Sequence, residues 1–250
     1  MMNHLFIRNF SIDHSDTTYT DSYLSSLQIL QHLDEFEFRK KVTFFVGENG
    51  TGKSTLLEAL AVCWGFNPEG GSKNFNFSIN DSYSELYRSI RIVRGSDYPS
   101  DGFFLRAESF YNVASNIDEL AKEVGGAAFL KGYGGKSLHE QSHGESFLAL
   151  MLNRFRGHGV YILDEPEAAL SPSRQLTMMV RIHELVEQDS QFIIATHSPL
   201  LMAYPDADIF ILSDQGLKRT PYEETEHYMV TRSFLENPGK MLHYLFDGAP

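Results

Sequence analysis

Gly47-Glu-Asn-Gly-Thr-Gly-Lys-Ser-Thr55 sets glycines, a lysine and hydroxyls at the spacing Gly-x4-Gly-Lys-Ser, the pattern of a phosphate-binding loop. Gly47, Gly50 and Gly52 let the backbone around Glu48, Asn49 and Thr51 curl, so that successive N–H groups point inward at phosphate oxygens. A helix beginning near Lys53 would add its positive N-terminal end. Lys53 would then reach the β- and γ-phosphates, and the Ser54 hydroxyl, beside Thr55, would hold magnesium. A glycine-rich turn alone could carry the same letters. The apolar run before this one and the helical pattern after it are the context the chemistry needs.

A second set of chemical residues ends the run Val160-Tyr-Ile-Leu-Asp164-Glu165-Pro166. A buried strand delivers two acids there at its C-terminal end, where ligands sit in open α/β sheets. Asp164 would steady magnesium through its shell, and Glu165 would polarise a water for attack on a γ-phosphate. Taken alone, the pair reads equally well as exposed acids opening a helix; the upstream loop favours the chemistry.

Two further patterns are decoys. Lys131-Gly-Tyr-Gly-Gly-Lys-Ser137 would need glycine at 130 to repeat the phosphate loop, and Leu130 stands there. His139-Glu-Gln-Ser-His143 has the spacing of a zinc-protease helix, but Gly134, Gly135 and Gly144 crowd it and a continuous helix is not expected. No zinc is expected. His158, His183, His227 and His243 suggest no partners and read as solvated surface.

The elements that must position these residues follow from periodicity. Residues 4–10, 42–46, 89–94 and 102–107 read as strands. Residues 160–163, 192–195 and 209–212 are continuous apolar runs, the pattern of parallel strands buried on both faces. Helices are expected from Lys53 to about Trp64, at 116–124, at 142–154 and at 172–188. In the third of these, Phe147, Leu148, Leu150, Met151 and Leu152 supply the buried stripe. Residues 67–80 read as loop or weak strand, and 223–235 and 238–246 as two short helices broken at Asn237-Pro238-Gly239. Strands alternating with helices predict an α/β fold with a mainly parallel sheet flanked by helices.

The chain has 250 residues, 42% hydrophobic and 22% charged, enough apolar material for a core. Its net charge of −12 argues against a surface that grips a phosphate backbone all over. A single cysteine, Cys63, excludes a disulfide framework. No apolar run approaches the ~20 residues of a membrane helix, and the start does not read as a signal peptide, so a cytoplasmic protein is expected.

The order of segments resembles the ABC-ATPase superfamily: the loop at 47–55, Ser142-His-Gly-Glu145, Ile162-Leu-Asp-Glu-Pro166 and Ala195-Thr-His-Ser198. The resemblance runs from about residue 4 to residue 212. The ending His227-Tyr-x-Val-Thr-Arg-x-Phe-Leu235 is similar to that of small stand-alone bacterial AAA-type ATPases of that superfamily. It implies a P-loop NTPase fold of ABC-ATPase type in one domain over 1–250. That domain would have an antiparallel N-terminal strand region, a helical sub-lobe at about 108–155 and a helical tail at about 222–247. It implies ATP and Mg2+ as cofactors and ATP hydrolysis as the activity. Ser142 and Gly144 would touch the γ-phosphate of ATP held by a second subunit, and His197 the γ-phosphate in its own. Residues 168–171 would line the dimer seam. Leu5-x-Ile-x-Asn-Phe10 resembles the first strand of SMC- and RecF-type members, where Asn9 and its neighbours approach the nucleotide.

The chain departs from the family at three points. Ser-His-Gly-Glu lacks the Gly-Gly-Gln ending usual in transporter subunits, Ser171 stands where an aspartate is common, and Glu108 substitutes for the glutamine of the magnesium-sensing loop. Only 89 residues separate Lys53 from Ser142, and no heptads occur. The expectation is therefore a head without coiled-coil arms, an ATP-driven homodimerisation switch acting on a protein or on DNA. The alternative is the nucleotide-binding subunit of an ABC membrane transporter. Arg88, Arg91, Arg94, Arg154 and Arg156 are the candidate basic patch for DNA.

Overall fold

The computed structural model describes residues 4–15, 33–73 and 84–248. The N-terminal part holds strands β1 (Ile7–Ile12), β2 (Glu35–Glu37) and β3 (Val42–Val46), then helix α1 (Lys53–Trp64). Strands β4 (Ile90–Arg94) and β5 (Asp101–Arg106) precede helices α2 (Phe110–Val124), α3 (Ala127–Leu130) and α4 (His143–Arg154). There follow β6 (Gly159–Asp164), α5 (Pro172–Glu187), β7 (Gln191–Ala195), α6 (Pro199–Met202), β8 (Asp208–Ser213) and β9 (Gly216–Arg219). Helices α7 (Glu226–Glu236) and α8 (Pro238–Asp247) end the described chain.

The main sheet has the order β5-β6-β7-β3-β8-β9, parallel except for the β8–β9 hairpin at its edge. The apolar runs at 160–163, 192–195 and 209–212 are all strands of this sheet. The period of two along a strand sends alternate side chains to opposite faces, and here both faces are buried. Phe44, Phe103, Leu105, Tyr161, Leu163, Phe192 and Ile194 face the helices α2, α4 and α5. Phe45, Phe104, Val160, Ile162 and Ile193 face α1 and a second sheet, β2-β1-β4, which is antiparallel. Each such side chain, removed from water, contributes about 1.5–3 kcal/mol. One residue fastens the two sheets together. Gln191, 1% exposed, accepts from the backbone N–H groups of Phe6 and Ile7 and donates to Ile7 O, each at 2.9 Å.

The structure corrects several expectations. The first strand begins at Ile7 rather than residue 4. Helix α2 begins at Phe110 instead of 116, because Phe110, Val113, Ala114, Ile117 and Ala121 form one buried stripe. Leu152 does not belong to the stripe of α4 and is 45% exposed; it lies ~140° around the helix from Phe147. Helix α7 starts at Glu226, not 223, after a 3-10 turn at Tyr222–Glu224. Of the segment 67–80, residues 67–73 form turns with one bridge, Gly71 to Phe104, and residues 74–80 lie outside the described chain.

Candidate functional site

The parallel strands β3, β6 and β7 end side by side, and their C-terminal ends deliver the chemical residues to one edge. The loop at 47–52 leaves β3 and turns directly into α1. Gly47 packs so closely on β8 that a Cβ there would sit 2.6 Å from Leu212 O. Gly52 starts the helix in the left-handed region at φ 95°, which a residue with a side chain enters at a cost of about 1–2 kcal/mol. Lys53 follows, 4% exposed, its Nζ donating to Gly47 O (2.7 Å) and Glu48 O (2.8 Å). Its ammonium thus occupies the inside of the loop, and burial holds its pKa below the ordinary lysine value, against the pull of Glu165, Asp164 and Glu167.

Ser54 Oγ donates to Asp164 Oδ1 at 3.1 Å. Asp164 is 4% exposed, and burial pushes its carboxyl up to about 6, against the opposing effects of Arg106 and Ser54. Hydroxyl and carboxylate oxygens paired in this way form a hard donor set, the kind that suits magnesium alongside phosphate and water. Arg106 Nε lies 3.5 Å from Asp164 Oδ2 and has no hydrogen-bond partner. The rest of the guanidinium binds Glu58, 9% exposed, and Glu108 at 3.2 Å. The loop interior and this oxygen pair therefore fit a nucleotide phosphate chain with its metal.

Glu165 adopts φ 50°, an uncommon conformation for a side-chain-bearing residue. Its N–H donates to Ala195 O at 3.0 Å, tying the strained residue to β7. The carboxylate, 39% exposed, faces His197 Nε2 at 3.7 Å. His197 is held from two sides: its backbone N–H donates to Glu167 Oε1, and its Nδ1 lies 3.2 Å from His227 Nε2 on α7. Burial, and then the Lys53 charge, keep His197 below the ordinary imidazole range, while burial raises Glu167.

Asn9, Ser142 and Gly144 lie outside this cluster, and Glu108 sits at its rim. Asn9 sits in the antiparallel sheet, its Nδ2 donating to Glu35 Oε1 at 3.0 Å. Glu108, 83% exposed, shares with Ser54, Glu58 and Arg106 the lining of a cavity of about 370 Å3. Ser142 caps α4 and is exposed; its N–H and Oγ both donate to Glu145 Oε2, at 3.1 and 2.7 Å. A Cβ on Gly144 would meet Ala169 O at 2.5 Å, so the start of α4 lies against the 168–171 loop. His139 and His143 fall on separate elements, a 3-10 turn at Leu138–Glu140 and the start of α4.

Sequence reading did not single out Arg106 or Glu167, and all four histidines it left on the surface have partners, His243 meeting the Tyr244 ring. His227 faces His197, His183 Nδ1 lies 3.1 Å from the Tyr204 hydroxyl, and His158 Nε2 lies 3.3 Å from Asp97. The ending His227-Tyr-x-Val-Thr-Arg carried the one available signal. Four of the five arginines read as a DNA patch have other contacts, Arg88 with Glu85 at 3.2 Å. Arg154 binds Asp101 at 2.7 Å, Arg91 donates to the Arg88 and Ile90 carbonyls, and Arg94 lies over the Trp64 ring.

A family model described as "AAA domain" matches residues 23–123, and one described as "AAA domain, putative AbiEii toxin, Type IV TA system" matches residues 131–203. A "Putative ABC transporter ATP-binding protein" of Geobacter sulfurreducens is 28% identical over 224 residues, covering 82% of this chain and 75% of its own. An "Uncharacterized ABC transporter ATP-binding protein" of Haemophilus influenzae is 26% identical over 201 residues, 75% of each chain. A solved "inward-facing conformation of a putative metal-chelate type ABC transporter" aligns at TM-score 0.48 with 16% identity, covering 79% of this chain and 80% of that one. The fold is a mainly parallel sheet flanked by helices with an antiparallel second sheet, a P-loop NTPase fold. The chain carries AAA-type P-loop ATPase matches and is similar in sequence to ABC-type ATP-binding proteins. Among the described residues, no helix is long and apolar enough to cross a membrane.

Proposed function

We propose that this protein binds and hydrolyses ATP with magnesium in the cytoplasm, and that ATP closes two copies head to head into a switch acting on a protein or DNA partner. The observation that carries this reading is the convergence of Lys53, the Ser54–Asp164 pair and the Glu165–His197 pair at the ends of three adjacent strands. Lys53 and the loop N–H groups bind the phosphates, and Ser54 and Asp164 hold the metal. When bound, magnesium neutralises charge on the phosphate oxygens. Glu165 takes the proton of the attacking water as general base, held in place by its strained backbone, and His197 contacts the γ-phosphate. Ser142 and Gly144, at the exposed start of α4, complete the partner's site. Glu108 and Asn9 act at the edges of the site, on the metal side and the nucleotide side.

A second reading, the nucleotide-binding subunit of an ABC membrane transporter, is favoured by the names its sequence relatives carry. Fractionation separates the two: recovery in the membrane fraction, released with an integral membrane protein, supports the transporter subunit. The activity itself is tested by phosphate release and ATP binding. Wild type hydrolyses ATP, Lys53→Ala fails to bind it, and Glu165→Gln binds it without turnover. Equal phosphate release by wild type and Glu165→Gln removes Glu165 as the base.

A further inference from the structure

His197 and His227 are 30 residues apart and come from different elements, yet their rings meet at a tilt of 48°, Nδ1 of His197 lying 3.2 Å from Nε2 of His227. That distance is a hydrogen bond and needs one proton between the two nitrogens. Two arrangements supply it. If His197 donates from Nδ1, its Nε2 is a bare lone pair 3.7 Å from the Glu165 carboxylate, a repulsive contact with no hydrogen bond for a buried nitrogen. If His227 donates from Nε2, His197 accepts at Nδ1 and carries its proton on Nε2, so an N–H dipole points at the anion. Only the second arrangement turns an N–H dipole, rather than a lone pair, toward the carboxylate. Burial keeps both imidazoles below their ordinary range, which favours the neutral ring, the form that has a choice of tautomer.

A chain of hydrogen bonds mounts His227. Thr225, fully buried, caps α7 and donates its hydroxyl to Tyr222 O at 2.7 Å. The Tyr222 hydroxyl in turn donates to Pro199 O at 2.8 Å, two residues beyond His197. The segment that carries His197 is thus also the anchor for the helix that carries His227. His197 and His227 together line a cavity of about 720 Å3, across which α7 faces Gly47, Asn49 and Thr51 of the phosphate loop.

We infer that His227 is a positioning residue, donating Nε2–H to His197 Nδ1 and so fixing His197 as the Nε2–H tautomer with its N–H toward Glu165. Helix α7 is on this account a structural part of the site. The inference rests on the proposed function only for its kinetic consequence, since the tautomer is a property of the protein without nucleotide.

The test is a long-range 1H–15N correlation spectrum of histidine-labelled full-length protein at pH 8, free of nucleotide and metal, with His197 assigned by its loss in His197→Asn. Wild type is expected to show His197 protonated on Nε2. His227→Phe removes the donor and leaves His197 a mixture of tautomers. His227→Gln, whose side-chain amide can donate from the same place, keeps the Nε2–H form. Phosphate release by His227→Phe then falls about tenfold in kcat, the scale seen when the partner that orients a functional histidine is lost, with KM for ATP within about twofold. His227→Gln recovers most of the loss. A wild-type His197 protonated on Nδ1, or a His197 pattern left unchanged in His227→Phe, overturns the inference. Absence of ATP hydrolysis by wild type removes the proposed function instead, and the spectra still decide the tautomer.

Discussion

Ser54 Oγ lies 3.1 Å from Asp164 Oδ1 across 110 residues of sequence. The first residue belongs to the opening turn of α1 and the second ends β6, so the hydrogen bond fixes the distance between phosphate loop and acid strand. Ser54 and Asp164 would together hold a magnesium ion, which would supply charge neutralisation at the phosphates. Ser54→Ala removes one donor oxygen and leaves the Lys53 ammonium in place. Titration of ATP binding against magnesium is expected to need about tenfold more metal in this variant, or ~1.4 kcal/mol, with metal-free ATP binding unchanged. An unshifted magnesium curve would take Ser54 out of the metal site.

The clamp between the two sheets depends on a single side chain. Gln191→Leu keeps the volume but leaves the N–H groups of Phe6 and Ile7 and the carbonyl of Ile7 without their buried partner. Each unpaired group costs about 1–3 kcal/mol, so urea unfolding should show a loss of ~3 kcal/mol or more with little change in slope. A loss below about 1 kcal/mol would mean that the antiparallel sheet is held by its apolar face alone.

Cys63 lies in α1 with its thiol directed at Tyr87 O, and burial raises its pKa from 9.0 to about 11. The folded chain therefore keeps this proton more tightly than the unfolded chain. The stability this contributes is present below pH 9 and is lost as pH rises from 9 towards 11. At pH 8 the shift alone lowers the thiolate fraction about 100-fold. Iodoacetamide labelling followed by mass spectrometry should be at least that much slower in the native protein than in urea at the same pH. Comparable rates would contradict the burial of the thiol.

Much of the fold was legible because its signals are local. The runs 42–46, 160–163, 192–195 and 209–212 are apolar on both faces and became the parallel strands, and Gly-x4-Gly-Lys-Ser followed by an apolar-periodic stretch became loop and helix. The site was less legible where it depends on convergence. Arg106 is an ordinary strand-end residue until the fold brings Glu58 and Asp164 to it. Glu167 and His227 matter because both reach His197, and no periodicity links positions 167, 197 and 227. Leu152 shows the opposite error: an apolar residue next to a buried stripe reads as part of it until helical rotation is counted.

The account's central claim is that ATP closes two copies of this chain over two sites. Light scattering on a size-exclusion column tests it with Glu165→Gln, which holds ATP without consuming it. The expected result is the 28.4 kDa monomer without nucleotide and twice that mass with magnesium-ATP, the shift disappearing when Ser142→Arg blocks the start of α4. A Glu165→Gln protein that binds magnesium-ATP and stays monomeric at every concentration would contradict the claim.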